Sequence, residues 1–440
     1  MISIIGLALA LALLVYLAMR GMSILVAAPL CAILIALTSG LALLPVKGSA
    51  EASFAVSYMT GFTSFFRDWF LMFLLGAIFG KIMEDSGAAH SIAHWIIAKL
   101  GVRHAVLALV AACAILTYGG VSVFIVAFSV YPMAVGLFRD ADLPRRFLPG
   151  TIAFGSVTFT MTSAGSVEMQ NWIPMQYLGT TPYAGWQVSM VVAIFMALTG
   201  FYWLTRMIKK AVANGERFNG RAADPEPRSP GTMPHPLLSL LPLATVLLVS
   251  LTLQGVYGKY ALVIALASGI AVATLFNIKR FTDFGGALTL GATGAVIAIA
   301  NTCAVVGFGS VAKGSPAFQE ALGALTAMPG SPLVAAALAI TVICGLTGSA
   351  SGGQTIALPL LAPFYVGPNA PHPVDPEALH RVVAIASGGL DSLPHNGYVV
   401  TTIRAICGET HKDAYGAVGT LTVIVPAVGT VLALFLFSVL

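Results

Sequence analysis

A chain of 440 residues that is 58% hydrophobic and only 9% charged is no ordinary water-soluble domain, in which roughly a quarter of the residues carry charge. Apolar runs recur from end to end, which reads as an all-α polytopic membrane protein lying in a lipid bilayer. The net charge of +5 says little about partners, and the five cysteines, all in apolar segments without paired spacing, read as neither a disulfide framework nor a metal site; no cofactor and no nucleic-acid partner are expected.

The first apolar run, 2–19, has no basic leader and is followed by Arg20, so it is read as a span and not as a cleavable signal. A second span covers 22–44, a partly polar stretch covers 45–66, and a third span covers 67–84 with Gly76 and Gly80 at GxxxG spacing. Residues 86–100 are amphipathic, with His90, His94 and Lys99 among isoleucines and Trp95, the pattern of a helix lying on the membrane surface. Residues 104–137 are apolar but interrupted by T-Y-G-G-V-S at 117–122. Neither arm reaches the roughly 20 residues of a crossing, so this segment reads as a re-entrant hairpin with its tip at Gly119-Gly120. Next comes a broken span: 147–159 apolar, 160–171 polar, 172–178 apolar. A long span, 184–208, follows. The charged, proline-rich residues 209–235 form a linker expected to be mobile.

The parts then recur in the same order. Spans lie at 236–254, 258–276 and 284–308, and a polar, amphipathic stretch at 309–330. A hairpin, 331–366, has its tip at 347–353; a broken helix, 378–407, is interrupted by S-G-G-L-D-S-L-P-H-N at 387–396; a last span covers 414–440. Five crossings plus one hairpin per half is an odd count, so the second repeat (236–440) is inverted relative to the first (1–208). About ten crossings, two hairpins and two broken helices are the architecture of a secondary transporter. Of the 22 Lys and Arg residues, only Lys47, Arg67, Lys259, Lys313 and Arg381 fall opposite the linker in this scheme. The linker is therefore expected in the cytoplasm and both termini in the periplasm.

The four interruptions carry the chemistry. Irregular backbone at membrane depth survives only when buried in protein or lining a watery cavity, and glycine lets backbone approach a ligand closely. The substrate-binding candidates are Gly119, Gly120 and Ser122; Thr162, Ser163, Gly165, Ser166 and Asn171; Thr347, Ser349, Ser351 and Gly352; and Ser392, His395 and Asn396. Half-helices starting near Asn171 and Asn396 would aim their N-termini at a small anion, above all a carboxylate. None of the four motifs contains Arg or Lys. Dipoles, hydroxyls and amides would then hold the anion. The competing reading makes these glycines mere turn and packing residues. Asp391, His395 and Glu168 are the candidates for carrying a coupling proton. Glu168 and Asp391 could instead cap the half-helices that follow them, and a sodium ion at the breaks is the rival coupling ion.

S-G-G-L-D-S-L-P-H-N-G at 387–397, followed by C-G-E-T-H-K at 407–412, resembles the C-terminal region of the GntP family of gluconate and hydroxy-acid permeases. It is most similar to the D-beta-hydroxybutyrate permease branch. T-G-S-A-S-G-G at 347–353, M-Q-N-W-I-P at 169–174 and G-T-T-P at 179–182 fit the same family. The resemblance implies a proton-coupled organic-acid symporter of the ion transporter superfamily, dimeric, with a scaffold and a mobile transport domain. It departs at 163–168, where S-A-G-S-V-E replaces an expected proline-containing stretch and leaves the substrate open. The expectation is an elevator-type symporter of small hydroxycarboxylates in a bacterial inner membrane. Its scaffold would be 1–100 with 236–330, and its transport domain 101–208 with 331–440. An intramembrane enzyme using Asp391 and His395 is the rival of another class, but no HExxH or serine-nucleophile motif supports it. A passive channel is the third reading.

Overall fold

The computed structural model describes residues 2–20, 22–47, 52–222, 224, 233–326 and 330–439, and these are helical almost throughout. The first half runs α1 (Ile2–Met19), α2 (Ile24–Thr38), the long α3 (Phe54–Asp85) and the short α4 (Ala88–Leu100). A hairpin of α5 (Ala105–Tyr118) and α6 (Val123–Asp140) follows. Then come α7 (Leu148–Ala153) with a π turn (Phe154–Thr158), a break, α8 (Met169–Leu178), and the long α9 (Trp186–Ala213). The second half runs α10 (Pro236–Tyr257), α11 (Ala261–Asn277), the long α12 (Phe284–Lys313) and the short α13 (Pro316–Thr326). Its hairpin is α14 (Pro332–Thr347) and α15 (Ala350–Tyr365). Its broken helix is α16 (Pro376–Ser387), a break, and α17 (Gly397–Val400) extended by a π turn (Thr401–Ile406). Its last helix is α18 (His411–Gly419) joined through a π turn (Thr420–Ile424) to α19 (Val425–Val439).

The packing repeats with the halves exchanged. The two long helices α3 and α12 make the most extensive contact in the molecule. Around them α2 packs on α12 as α11 packs on α3, α1 on α13 as α10 on α4, and α15 on α8 as α6 on the Thr401–Ile406 turn. Six stretches among the described residues are long and apolar enough to cross a membrane: Phe54–Asp85, Val123–Asp140, Trp186–Ala213, Pro236–Arg280, Phe284–Lys313 and His411–Val439. The fourth contains both α10 and α11. The hairpin arms are unequal, because α6 reaches crossing length while α5 does not.

Several expected boundaries move. The partly polar stretch is mostly helix: α3 starts at Phe54, capped by Ser53. Its hydroxyls return to their own backbone, Thr63 to Met59 O at 2.7 Å and Ser64 to Gly61 O at 2.9 Å, so they need no water. Conversely, α2 stops at Thr38, before Gly40 with φ +73°. Helix α12 runs past 308 to Lys313, with Gly309 packed tightly against Ile356, where a Cβ would meet its Cγ1 at 2.4 Å.

The first part of the linker is pinned, not loose. Arg146 donates to Glu216 at 2.6 and 2.9 Å and Arg217 pairs with Asp142 at 3.2 Å. Buried Arg145 pairs with Asp224 and with Glu409, the latter at 3.1 Å, and Arg221 reaches Glu409 at 2.8 Å. Arg146 holds the Glu216 carboxyl below its ordinary range. Burial works to raise that of Asp224, and the Arg145 hydrogen bond and charge overcome it and hold it low. The rest of the linker, 225–232 and residue 223, lies outside the described residues.

Candidate functional site

The four interruptions meet at one cavity of about 650 Å³, within the roughly 300–1,000 Å³ typical of small-molecule sites. The first turns of α6, α8, α15 and α17 all reach its wall, through Val123, Met169, Ala350 and Gly397. Each helix start brings unpaired N–H groups and roughly half a positive charge. Among the described residues no Lys or Arg lines it, and Glu168, Asp391 and His395 are its ionisable groups apart from the phenol of Tyr398. The facing wall comes from α3, α11 and α12 and is mostly apolar, with Met72, Phe73, Leu262, Leu266 and Ile297.

Glycine shapes both hairpin tips. Gly120 has φ +94° and a Cβ there would lie 2.7 Å from Val167 Cγ2; Gly348 has φ +60° and a Cβ there would lie 2.7 Å from the His395 ring. The left-handed conformation at such close approach leaves room for glycine alone. The second tip is narrower than expected. Only Gly348 and Ser349 are outside helix, since the Ser349 hydroxyl caps α15 by accepting from Gly352 N at 3.1 Å.

The first break is held from outside itself. Arg381 of α16 is fully buried and donates to Thr162 O at 2.6 Å, Ala184 O at 2.9 Å and Pro182 O at 3.2 Å. Its charge is thus spent inside the protein on carbonyls of the other half. Helix α8 begins at Met169, as expected near Asn171, which lies in its first turn; the Asn171 amide donates to Ser166 O at 3.0 Å and Pro182 O at 2.8 Å. The Trp172 indole also donates to Ser166 O, at 3.0 Å. The Thr160 and Ser163 hydroxyls fold back onto Ser156 O and Phe159 O. Ser163, Gly165, Ser166 and Asn171 therefore build the break and do not line the cavity, and Gly119 and Gly352 stand behind it as well. Glu168 does line it. It occupies the N-cap position of α8, yet its side chain makes no capping hydrogen bond.

The second break is bound to its own half. Asn396 caps α17 by accepting from Val399 N at 3.0 Å, and its amide donates to Asp391 O at 2.9 Å and Gly348 O at 3.0 Å. Asp391 is thus no cap. Its carboxylate accepts from Ser392 Oγ at 2.9 Å, not from His395, whose Nε2 has no partner among the described residues. Gly120, Ser122, Glu168, Thr347, Ser349, Ser351, Asp391, Ser392, His395 and Asn396 share the main cavity. Thr162 lies at a smaller cavity of about 10 Å³ beside it, together with Gln170, Gly388, Asp391, Ser392 and Thr422.

Two groups escaped the sequence reading. Gln354, fully buried, donates to Gln170 O at 3.0 Å and Ser387 Oγ at 3.1 Å, joining the second hairpin to both broken helices. Asn301 and Thr302 stand on the α12 wall of the cavity. Asn301 and Thr302 are polar side chains inside a long apolar run, and that was the available signal; Gln354 borders the polar tip at 347–353.

No protein-family model matches the chain. It is 35% identical over 467 residues to the uncharacterized transporter YxjC of Bacillus subtilis, covering 97% of each chain. Over 85 residues, 19% of each chain, it is 34% identical to the high-affinity gluconate transporter of Escherichia coli. A stretch of 96 residues, 22% of this chain and 23% of the other, is 36% identical to an uncharacterized transporter of Haemophilus influenzae. The solved YdaH transporter of Alcanivorax borkumensis matches the fold with a TM-score of 0.55, at 14% identity, over 97% of this chain and 98% of that one. The full-length match decides identity where the remote fold match cannot: the chain is a multi-pass membrane transporter belonging to the same family as YxjC of Bacillus subtilis.

Proposed function

We propose that the chain is a proton-coupled symporter of small organic carboxylates bearing hydroxyls, such as hydroxybutyrate or sugar acids. One observation carries this reading: four helix starts and two carboxyls share one cavity, with no Lys or Arg among the described residues that line it. The helix starts favour an anion. A second negative charge beside that anion opposes it by about 4 kcal/mol at 4 Å and an effective dielectric of 20. A proton on Asp391 therefore accompanies the substrate and leaves with it. The partial likeness to a gluconate transporter favours an organic acid. It is also in keeping with membership of the GntP family, whose hydroxybutyrate permease branch the motif at 387–397 resembles.

The cavity lies between α3, α11 and α12 on one side and the hairpins and broken helices on the other, which suits an elevator. Residues 101–208 and 331–440 would carry the substrate past a scaffold of 1–100 and 236–330. The exchanged packing of the halves favours an inverted repeat. We place the protein as a homodimer in a bacterial inner membrane, with the linker cytoplasmic and both termini periplasmic. A second reading, sodium coupling, has its own support in the small cavity beside Asp391: its volume of about 10 Å³ matches one water-sized particle, and its side chains are rich in oxygen. Proteoliposomes test the choice. An inside-alkaline gradient without sodium should concentrate hydroxybutyrate or gluconate; accumulation that follows only a sodium gradient would overturn the proton assignment.

A further inference from the structure

The cavity has two unlike walls. The tips and breaks supply hydroxyls, carboxyls, an imidazole and helix starts, whereas α3, α11 and α12 supply almost only apolar surface. Asn301 and Thr302 of α12 are the exceptions, and they differ from each other. Thr302 bonds its hydroxyl to Ala298 O at 3.2 Å, within its own helix, so its polarity is already satisfied. The Asn301 side chain makes no hydrogen bond among the described residues and is half-buried. It sits on a stripe with Ile297 and Val305, the neighbours one turn either way, and all three face the cavity. The other long helix, α3, presents Met72, Phe73, Gly76 and Ala77 to the same cavity and no amide. Packing of the long helices therefore does not call for an amide here, and an unpaired amide at membrane depth is unfavourable unless something polar meets it.

Building on the symport reading, we infer that Asn301 is a second binding point for the substrate. It hydrogen-bonds a hydroxyl on the end of the molecule away from the carboxylate. The helix starts hold the carboxylate at the opposite wall. A short carboxylate carrying a distal hydroxyl satisfies both walls, and its deoxy analogue leaves the amide unpaired. A site that recognises a hydroxyl in this way discriminates against the molecule lacking it. Because Asn301 is on α12 and the carboxylate site is on the tips and breaks, the hydroxyl bond also holds the two walls together while substrate is present.

The test is uptake of 3-hydroxybutyrate and of butyrate, measured in parallel in proteoliposomes under one pH gradient. Wild-type protein should favour the hydroxylated acid. Asn301→Ala should cut the ratio of the two rates on the order of tenfold; Asn301→Gln should restore part of it, and Thr302→Val should leave it intact. A ratio unchanged in Asn301→Ala, whether both rates fall or neither does, overturns the inference. So does an equal loss of the ratio in Thr302→Val. Should a variant give too little protein for uptake, stabilisation of the purified protein by each acid gives the same ratio as a thermal shift. Wild-type protein that accumulates neither these acids nor gluconate overturns the underlying symport reading, a result distinct from an unchanged ratio.

Discussion

The two broken helices occupy equivalent places in the two halves yet are held in opposite ways. The first break is braced by the other half: Arg381 reaches three of its neighbouring carbonyls and Gln354 reaches Gln170 O. The second is held locally, by Asn396, by Tyr415 OH donating to Ser392 O at 3.2 Å, and by His411 Nε2 3.2 Å from Pro394 O. The cavity reflects this: the second break gives it Asp391, Ser392, His395 and Asn396, the first mainly Val167 and Glu168. Repeated architecture fixes where irregular backbone lies; it does not fix what that backbone does. One break serves as framework and the other presents the chemistry.

Arg381→Met is the sharpest way to break this comparison. It removes the arginine's bonds to Thr162 O and Ala184 O, at about 1–3 kcal/mol each, while Pro182 O keeps the Asn171 amide. We expect almost no folded protein, read as the yield of monodisperse material in detergent; a normal yield would show that the brace is dispensable. Asp391→Asn should leave the fold intact and reduce concentrative uptake on the order of 100-fold or more while sparing exchange of substrate. Glu168→Gln, on the framework side, should give a smaller fall, and equal losses would erase the functional difference between the breaks. Gly348→Ala brings a methyl against His395 in a left-handed conformation that disfavours alanine by about 1–2 kcal/mol. We expect a several-fold loss of uptake, with a matching drop in thermal stability. Asp224→Asn should affect transport least. It should speed tryptic cleavage after Arg217 and Arg221 by freeing the linker. Since Asp224 is held below its ordinary value of 3.8, its pairing is complete at neutral pH. That pairing is lost only as pH falls through the depressed value.

Much of this architecture is legible in the amino-acid sequence. Glycine, serine and asparagine inside apolar text are conspicuous because lipid tolerates no unpaired backbone, so both tips, both breaks and the order of parts can be read directly. What stays hidden depends on partners far along the chain. Nothing near Arg381 in sequence reveals its acceptors, and nothing near Asn171, in the first turn of α8, reveals that its amide braces the break. The helix over residues 54–66 is obscured for the opposite reason. Its threonine and serine look polar, but their bonds close on their own turn.

The brace at Arg381 also sets a schedule for making the protein. Thr162 and Arg381 are 219 residues apart, so at about 5–20 residues per second the ribosome delivers the arginine on the order of 10–40 s after the threonine. Throughout that interval the first break has no cross-half donor, and its carbonyls must keep water or another protein as a substitute. The first half is thus expected to leave the ribosome inserted but unfinished, and to reach its final shape only when α16 arrives. An insertion machine or chaperone acting on this chain would find its substrate there, in the waiting half.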